Sequence, residues 1–231
     1  MIQNLRDLGG IRIVTGATIR SGCFVRSANL SSAEKEDLAG ISEVIDLRTT
    51  RERTEIPDRL FGRTGLSIPI FDEVRTGVSH ERETERKGPP DMSILYRWMV
   101  KEHQESFAKV LTAIMQHDFS AGAVLWHCTE GKDRCGLTTA LLLELLGVDR
   151  QSIMEDYLKT NAVNIPKAEK IREKLRAEHG DEIAESVYRA YIADRAYLEG
   201  AWSVMDADAH FFERFGFTEE ELACFRAKVT E

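Results

Sequence analysis

The sequence predicts a single α/β domain built on a central, mostly parallel β-sheet flanked by helices, and three observations support this fold class. Short apolar segments bounded by turn residues alternate with helical segments up to residue 127, a pattern typical of parallel sheets. A long apolar helix follows the last of these segments. The chain has 231 residues, 42% of them hydrophobic, and its sequence contains no repeat or Ser/Pro/Gly-rich linker. Residues 1–231 are therefore predicted to form one domain.

The individual elements follow from the spacing of the apolar residues. Strands are predicted at residues 11–14, 24–26, 44–47, 66–70 and 123–127. Residues 92–116 carry apolar side chains at helical spacing, which predicts a helix with one face inward. Residues 137–146 are apolar nearly all round, which predicts a buried helix.

The chain is predicted to be helical after Asn164. Pro166 suits the first turn of a helix, and Gly180 suits a helix end. The charged helix between them has a narrow apolar stripe formed by Ile171 and Leu175. The helical region, roughly residues 160–210, is either a lid over a binding site or a solvated outer layer.

The most informative segment, residues 127–136, reads HCTEGKDRCG and joins the last predicted strand to the apolar helix. A cysteine at the start of a helix lies among free amide donors at the positive end of the helix dipole, which favours its thiolate. Five residues separate Cys128 from Arg134, and their amides can converge into a cradle for a tetrahedral anion. The guanidinium of Arg134 can hold two oxygens of that anion at once.

These features predict phosphoryl transfer to sulfur, in which Cys128 attacks phosphorus and water later releases the phosphocysteine. This chemistry needs no metal or other cofactor. A nucleotide-binding Walker loop is excluded because Gly131 and Lys132 are followed by Asp133 rather than Ser or Thr. The predicted phosphate-binding residues are Thr129, Glu130, Gly131, Lys132, Asp133 and Arg134.

The loop resembles the signature His-Cys-x-x-Gly-Lys-Asp-Arg-Thr-Gly of the atypical bacterial protein-tyrosine phosphatases. The resemblance extends to NLRDLGG at residues 4–10, RSANL at residues 26–30, VIDLR at residues 44–48 with Glu52, and Asp156-Tyr157-Leu158. It implies a protein-tyrosine-phosphatase-like fold and hydrolysis of phosphate monoesters, mainly protein phosphotyrosine. Some members of that family also act on phosphoinositides, and the resemblance implies that His127 tunes the thiolate of Cys128.

Cys135 departs from the family pattern, which has threonine or serine at this position. The resemblance implies that the hydroxyl of this threonine or serine donates a hydrogen bond to the nucleophilic sulfur and helps the sulfur leave the intermediate. A thiol is a weaker donor, which predicts a slower second step. The same departure leads to the hypothesis that Cys128 and Cys135 form a reversible disulfide that protects the nucleophile from overoxidation.

Two carboxyl groups are candidates for the general acid that protonates the leaving oxygen. Asp133 lies in the loop and is the favoured candidate, because the resemblance to families with Lys-Asp-Arg at this place implies that the loop aspartate is the acid. Asp72 follows the predicted strand 66–70, where related phosphatases carry their acid; it either assists Asp133 or orients Arg134.

The charged segment 80–90 is predicted to be a surface loop. Asp46 and Arg48 are interpreted as structural, with Arg48 pairing with Glu52.

Composition limits the other possibilities. A net charge of -8 makes nonspecific binding to nucleic acid or an anionic membrane unfavourable. The sequence shows neither a signal-peptide pattern nor an apolar run of 18 residues, which predicts a cytoplasmic protein without stable membrane insertion. The six histidines show no metal-binding spacing, and four scattered cysteines indicate a reducing compartment. Cys23 and Cys224 are predicted to be buried.

The expected partner is a phosphoprotein or phosphopeptide, because Lys132 is the only lysine in the loop and multiply phosphorylated ligands need more cations. Phosphoinositides come second. Two other classes stay open: a phosphopeptide- or phosphoinositide-binding module without useful turnover, and, with less support, a thiol redox protein or sulfurtransferase. The oligomeric state is not predicted.

Overall fold

The computed structural model describes residues 2–71 and 91–231. Within them, one five-stranded sheet has the order β1-β2-β5-β3-β4. Strand β1 is antiparallel to β2, and the remaining neighbours are parallel, which confirms the predicted mostly parallel sheet. The strands are β1 (Arg6–Asp7), β2 (Phe24–Ser27), β3 (Ile41–Asp46), β4 (Thr64–Ser67) and β5 (Ala123–His127).

Two strand predictions were wrong in position. Residues 11–14 do not join the sheet, because the amides of Ile13 and Ile19 bond to the carbonyls of Ala17 and Ile11 in a local hairpin-like loop. The antiparallel edge is formed instead by β1. Strand β4 covers residues 64–67 rather than 66–70, and its register pairs Asp46 with Ser67 at the end of β3.

In the described residues, α-helices pack on one face of the sheet and form the C-terminal part, while the segment with the 3₁₀ helix Glu36–Leu38 packs on the other face. In the described ranges they are α1 (Thr50–Glu55), α2 (Met92–Glu102), α3 (Gln104–Gln116), α4 (Asp133–Leu146), α5 (Arg150–Lys159), α6 (Asn161–His179), α7 (Asp181–Tyr191), α8 (Arg195–Asp206) and α9 (Glu219–Val229). Short 3₁₀ helices occur at Glu36–Leu38 and Phe212–Phe215. Helix α4 is buried nearly all round, as predicted.

The predicted single helix at 92–116 is two helices, α2 and α3. His103 separates them with φ -115° and ψ 26°. Its ring packs edge-on against Trp98 at a centroid distance of 4.6 Å, which holds the break in place.

Helix α6 begins at Asn161, so Pro166 lies inside the helix and not in its first turn. Side-chain hydrogen bonds to the end of α7 and the segment after it hold the turn before the proline, since Nδ2 of Asn161 donates to the carbonyl of Ala193 and Nδ2 of Asn164 donates to the carbonyl of Tyr191. Gly180 ends the helix with φ 85°, as predicted. Helices α6 and α7 pack against each other as a hairpin.

The hydrophobic core has two parts, one on each face of the sheet. The larger part packs α2, α3, α4 and α8 against Phe24 and Trp126, and the smaller part includes Val25 and Leu125. Cys23 is buried as predicted, but Cys224 is exposed, because it lies on the solvent side of α9. None of the helices in the described part of the chain is both long and apolar enough to cross a membrane.

Candidate active site

The segment between β5 and α4 forms a tight loop at the end of the sheet. Its backbone turns at Gly131, where φ is 68°. A Cβ atom at this position would lie 2.6 Å from the carbonyl carbon and oxygen of Ser27. Only glycine combines this left-handed conformation with so close an approach to the end of β2.

Side chains on the outer side of the loop donate hydrogen bonds to two of its carbonyl groups. Asn29 donates to the carbonyl of Thr129 at 3.0 Å. Asn4 and Arg26 both donate to the carbonyl of Gly131 at 2.9 Å. With the carbonyls fixed on the outer side, the loop amides are left for the inner side.

The inner side of the loop is a set of unused donors. Within residues 2–71 and 91–231, the amides of residues 129–132 donate no hydrogen bond to a protein acceptor. The first turn of α4, from Asp133 onward, adds the positive end of its dipole. This arrangement fits the predicted cradle for a tetrahedral anion.

A buried cluster of charged side chains lies beside the loop, on its outer side. Asp156 accepts from the Nε atom of Arg6 at 2.7 Å and from Nη1 of Arg26 at 2.8 Å. Burial raises the pKa of Asp156, but the two guanidinium groups outweigh it and lower the pKa overall. The motif residues near the start of the chain therefore position the loop and are not part of its reactive surface.

Cys128 lies at the bottom of the loop, with 2% of its surface exposed. A hydrogen bond from the side chain of Cys135 and the positive charge of Arg134 outweigh the effect of burial and lower the pKa of Cys128 to about 6. At neutral pH the thiolate is therefore the main form of this side chain.

Cys135 is fully buried behind the nucleophile. Burial, followed by its contact with the Cys128 sulfur, raises the pKa of Cys135 well above its ordinary value, so it stays a thiol. Its Sγ atom also lies 3.6 Å from the carbonyl of Ser27 and 3.9 Å from that of Trp126. A thiol has one proton, so these carbonyls compete with Cys128 for a weak donor.

Arg134 is held by Glu52, which the sequence analysis had predicted to pair with Arg48. Its Nη1 and Nη2 atoms each donate to a carboxylate oxygen of Glu52 at 2.6 Å. Thr129 donates to the same carboxylate, and Nη2 of Arg134 lies 3.3 Å from the Thr129 hydroxyl. Burial raises the pKa of Glu52, but the hydrogen bonds and charge of Arg134 lower it to about 2. The guanidinium is thus fixed in orientation by a permanent counter-charge.

The predicted pairing of Arg48 with Glu52 was wrong. Arg48 bonds to Asp46 at 2.8 Å and to Asp58 at 2.5 Å, because these carboxylates lie below the loop while Glu52 on α1 faces Arg134. Ring atom Nε2 of His127 lies 3.1 Å from Asp58, and its Nδ1 lies 3.4 Å from the carbonyl of Cys128. His127 therefore links this cluster to the nucleophile.

Asp46, Asp58 and His127 also place possible metal-ligand atoms within 4.8 Å of one another. The guanidinium of Arg48 already bonds to both carboxylates. The positive charge of Arg48 thus already compensates the two carboxylates, and these residues do not fit a metal centre.

Asp133 is the candidate acid that the structure describes, and Asp72 lies outside the described residues. The Oδ1 atom of Asp133 accepts from the hydroxyl of Tyr96 at 2.7 Å and lies 3.2 Å from Nζ of Lys132. The Tyr96 hydroxyl is also 2.7 Å from that of Tyr157. Tyr96 was not singled out from the sequence, and Tyr157 was noted there only as part of the resemblance at residues 156–158, without a role in the site.

The two charged residues in the middle of the loop contact the α6–α7 hairpin. The side chain of Lys132 is 1% exposed and donates to the carbonyls of Ala190 and Ile192, at the C-terminal end of α7. Glu130 accepts from Lys167 on α6. The predicted contacts of these two side chains with phosphate stay predictions.

The whole chain, residues 1–231, matches the family model described as "Tyrosine phosphatase family". The chain belongs to this family. The phosphatase is 29% identical over 222 residues to the triple specificity protein phosphatase PtpB of Mycobacterium tuberculosis, covering 80% of this chain and 76% of that protein. It is 27% identical over 214 residues to a provisionally named tyrosine-protein phosphatase of Cupriavidus necator, covering 89% of this chain and 77% of the other.

A tyrosine-protein phosphatase of Nostoc commune is 33% identical to this phosphatase over 145 residues, which are 60% of this chain and 48% of that protein. A solved structure of P. aeruginosa TpbA in complex with pTyr has 16% sequence identity and a TM-score of 0.36, covering 82% of this chain and 90% of the other.

Alkylation of Cys128 by iodoacetamide is expected to have its midpoint near pH 6, the pKa that its surroundings give it. The pKa is lowered, so the reactive thiolate is present above this pH and is lost as the pH falls through it. In a Cys135→Ala variant the midpoint should rise, because the largest cause of the shift is removed. Peptide mass spectrometry across pH measures both, with exposed Cys224 as the internal reference. A Cys128 midpoint near the ordinary value of about 8.5 would contradict the prediction.

A Cys135→Thr variant is expected to release phosphate from the phosphocysteine faster than the wild type. The hydroxyl is a stronger donor to the departing sulfur than the thiol, which is shared with two carbonyls. In rapid-quench kinetics the wild type should show the larger burst and the slower steady state. Equal burst size and turnover in the two proteins would exclude this role.

Mild hydrogen peroxide is expected to join Cys128 and Cys135 in a disulfide. Peroxide converts the Cys128 thiolate to a sulfenic acid, and the neighbouring Cys135 thiol then displaces its hydroxyl group as water. Neither cysteine is in a disulfide in the structure. Peptide mapping would detect the linkage, which thiol reductants should reverse, and a Cys135→Ser variant should pass on to sulfinic acid. Sulfinic acid at Cys128 in the wild type, without the linkage, would refute the hypothesis.

Proposed function

We propose that this chain hydrolyses phosphate monoesters, chiefly protein phosphotyrosine, through a phosphocysteine intermediate on Cys128. The observation that carries the proposal is the arrangement around that sulfur. A thiolate with a lowered pKa lies within a ring of unused amides, beside an arginine whose orientation is fixed by Glu52. Family membership supports the same reaction class.

In the proposed mechanism, the phosphate oxygens bind to the amides of residues 129–132 and to Arg134. The Cys128 thiolate attacks phosphorus while Asp133 protonates the leaving oxygen. Asp133 then accepts a proton from the water that attacks the phosphocysteine, and the thiol of Cys135 donates to the departing sulfur. The amides and Arg134 stabilise the charge on the equatorial oxygens in both steps.

The depth of the nucleophile supports an aryl substrate. Cys128 has 2% of its surface exposed, so the phosphorus must enter the loop to reach it. Phosphotyrosine carries its phosphate at the end of a rigid ring and can reach further than phosphoserine. The name of the relative PtpB, triple specificity protein phosphatase, supports additional hydrolysis of other phosphate esters.

We further propose that residues 1–231 act as one phosphatase domain and that the α6–α7 hairpin is its lid. Support for the lid comes from the contacts of Lys132 with the end of α7 and of Glu130 with α6. Both contacts start from the phosphate loop, so a movement of the hairpin would be transmitted to the loop.

The proposed function is tested by hydrolysis of para-nitrophenyl phosphate and of a matched pair of peptides, one with phosphotyrosine and one with phosphoserine. The reactions contain a chelator and a thiol reductant. We expect turnover in the presence of chelator, a preference for the phosphotyrosine peptide, and an acid-quenched enzyme that carries one phosphoryl group on the peptide containing Cys128. Binding of the phosphotyrosine peptide without any turnover would show a phosphopeptide-binding module instead.

A further inference from the structure

Glu130 occupies an unusual place for a carboxylate, in the middle of a loop built to bind an anion. Glu130 lies two positions after Cys128, so their Cα atoms are at most about 7 Å apart. A free carboxylate here would repel the substrate.

In the described part of the chain, the residue that neutralises the charge of Glu130 is Lys167. The Nζ atom of Lys167 on α6 lies 2.7 Å from Oε1 and 2.8 Å from Oε2 of Glu130. The side chains are 28% and 36% exposed, so the pair lies at the solvent boundary of the loop. Nζ of Lys167 also lies 5.3 Å from the ring centre of Tyr191, which holds it on the side of the hairpin.

The other cations of the loop are occupied as well. Lys132 is bound to main-chain carbonyls and to Asp133. Arg134 is bound to Glu52, and we assign its guanidinium to the reacting phosphate. Among the described residues that contact the loop, Lys167 is thus the cation best placed to meet a second anionic group, and Glu130 occupies it.

We infer that Glu130 is a specificity-determining residue that selects against substrates with a second phosphate next to the reacting one. By holding Lys167, it removes the cation that would otherwise bind the second phosphate, and its own charge opposes a further anion. This inference rests on the proposed function, since it concerns which phosphate esters the same site accepts. Glu130 is therefore expected to make the site prefer a phosphotyrosine without a phosphorylated neighbour over adjacent phosphorylated residues and over bisphosphates.

The test compares one peptide in two forms, with a single phosphotyrosine and with phosphotyrosine at two adjacent positions. The measured quantity is the ratio of kcat/KM for the singly and doubly phosphorylated forms, which does not depend on the overall activity of a variant. Glu130→Gln keeps the shape of the side chain and releases the ammonium of Lys167. We expect this substitution to lower the ratio about fivefold, an effect that high salt should remove.

A second substitution shows whether Lys167 is the cause. In the Glu130→Gln/Lys167→Gln double variant the ratio should rise again, because the released ammonium is gone. Lys167→Gln alone should raise the ratio above that of the wild type, because Glu130 is then unpaired. A ratio that stays within error of the wild type in Glu130→Gln overturns the inference.

Failure of the proposed function gives a different result, namely no hydrolysis of either peptide by the wild type. The preference is then measured by binding, as the Kd of the doubly phosphorylated peptide divided by the Kd of the singly phosphorylated one. Cys128→Ser and Cys128→Ser/Glu130→Gln, which bind without consuming the peptide, supply these values. A lower Kd ratio in the double variant supports the charge selection without turnover, and an unchanged one rejects it.

Discussion

Replacing Cys128 with serine is expected to lower kcat on every phosphate ester by at least about 10⁴-fold while phosphopeptide binding is retained. The reason lies in the ionisation of the nucleophile. The surroundings lower the pKa of Cys128 to about 6 and so populate a thiolate at neutral pH. A serine hydroxyl at the same place stays protonated under these conditions. The amides and Arg134 that bind the phosphate are unchanged by the substitution.

Steady-state assays with a chelator measure the loss, and isothermal titration with a phosphotyrosine peptide measures the binding. The matched control is Cys224→Ser, an exposed cysteine on α9 that lies outside the loop. It should behave as the wild type in both assays. If Cys128→Ser kept a kcat within tenfold of the wild type, another group would have to be the nucleophile and the proposed mechanism would fail.

The reactive loop could be predicted from the sequence because its parts are local. Cys128, Arg134 and Gly131 lie within seven consecutive residues, and a strand before them and an apolar helix after them fix their approximate geometry. The left-handed turn at Gly131 and the helix start at Asp133 then bring the amides around one point. The mostly parallel sheet followed from the same alternation of strands and helices.

Contacts between distant segments could not be predicted in this way. Glu52 and Arg134 are 82 positions apart, and Glu130 and Lys167 are 37 apart. Which acid meets which base depends on where β3 ends relative to β5 and on how α6 lies against the loop. For the same reason the sequence paired Arg48 with its neighbour Glu52, while the fold directs those two side chains to different partners.

Elements were misplaced where local hydrogen bonds override the apolar pattern. The segment 11–14 is as apolar as a strand, but it closes a loop through the amide of Ile13 and the carbonyl of Ala17. Helix α6 extends before Pro166 because side-chain amides from Asn161 and Asn164 fix the preceding turn. Both effects need partners that become known only once the chain is folded.

Replacing Asp133 with asparagine is expected to lower kcat/KM by about 10²- to 10³-fold for esters with a poor leaving group and by much less for para-nitrophenyl phosphate. An asparagine cannot give a proton to the leaving oxygen, and only a strongly basic leaving group needs one. The geometry supports this role. Tyr96 and Lys132 both contact Oδ1 of Asp133, so we expect Oδ2 to carry the proton toward the leaving group.

The measurement is a series of aryl phosphates that differ in the basicity of the released phenol. For the wild type, kcat/KM should depend weakly on the leaving group, because protonation compensates for its basicity; for Asp133→Asn it should depend steeply. Asp72→Asn is the matched control and should keep the shallow dependence of the wild type. A steep dependence in Asp72→Asn together with a shallow one in Asp133→Asn would reverse the assignment, making Asp72 the acid. Asp133 would then be left with the role of holding Tyr96 and Lys132 beside the loop, where a loss of its charge affects all substrates equally.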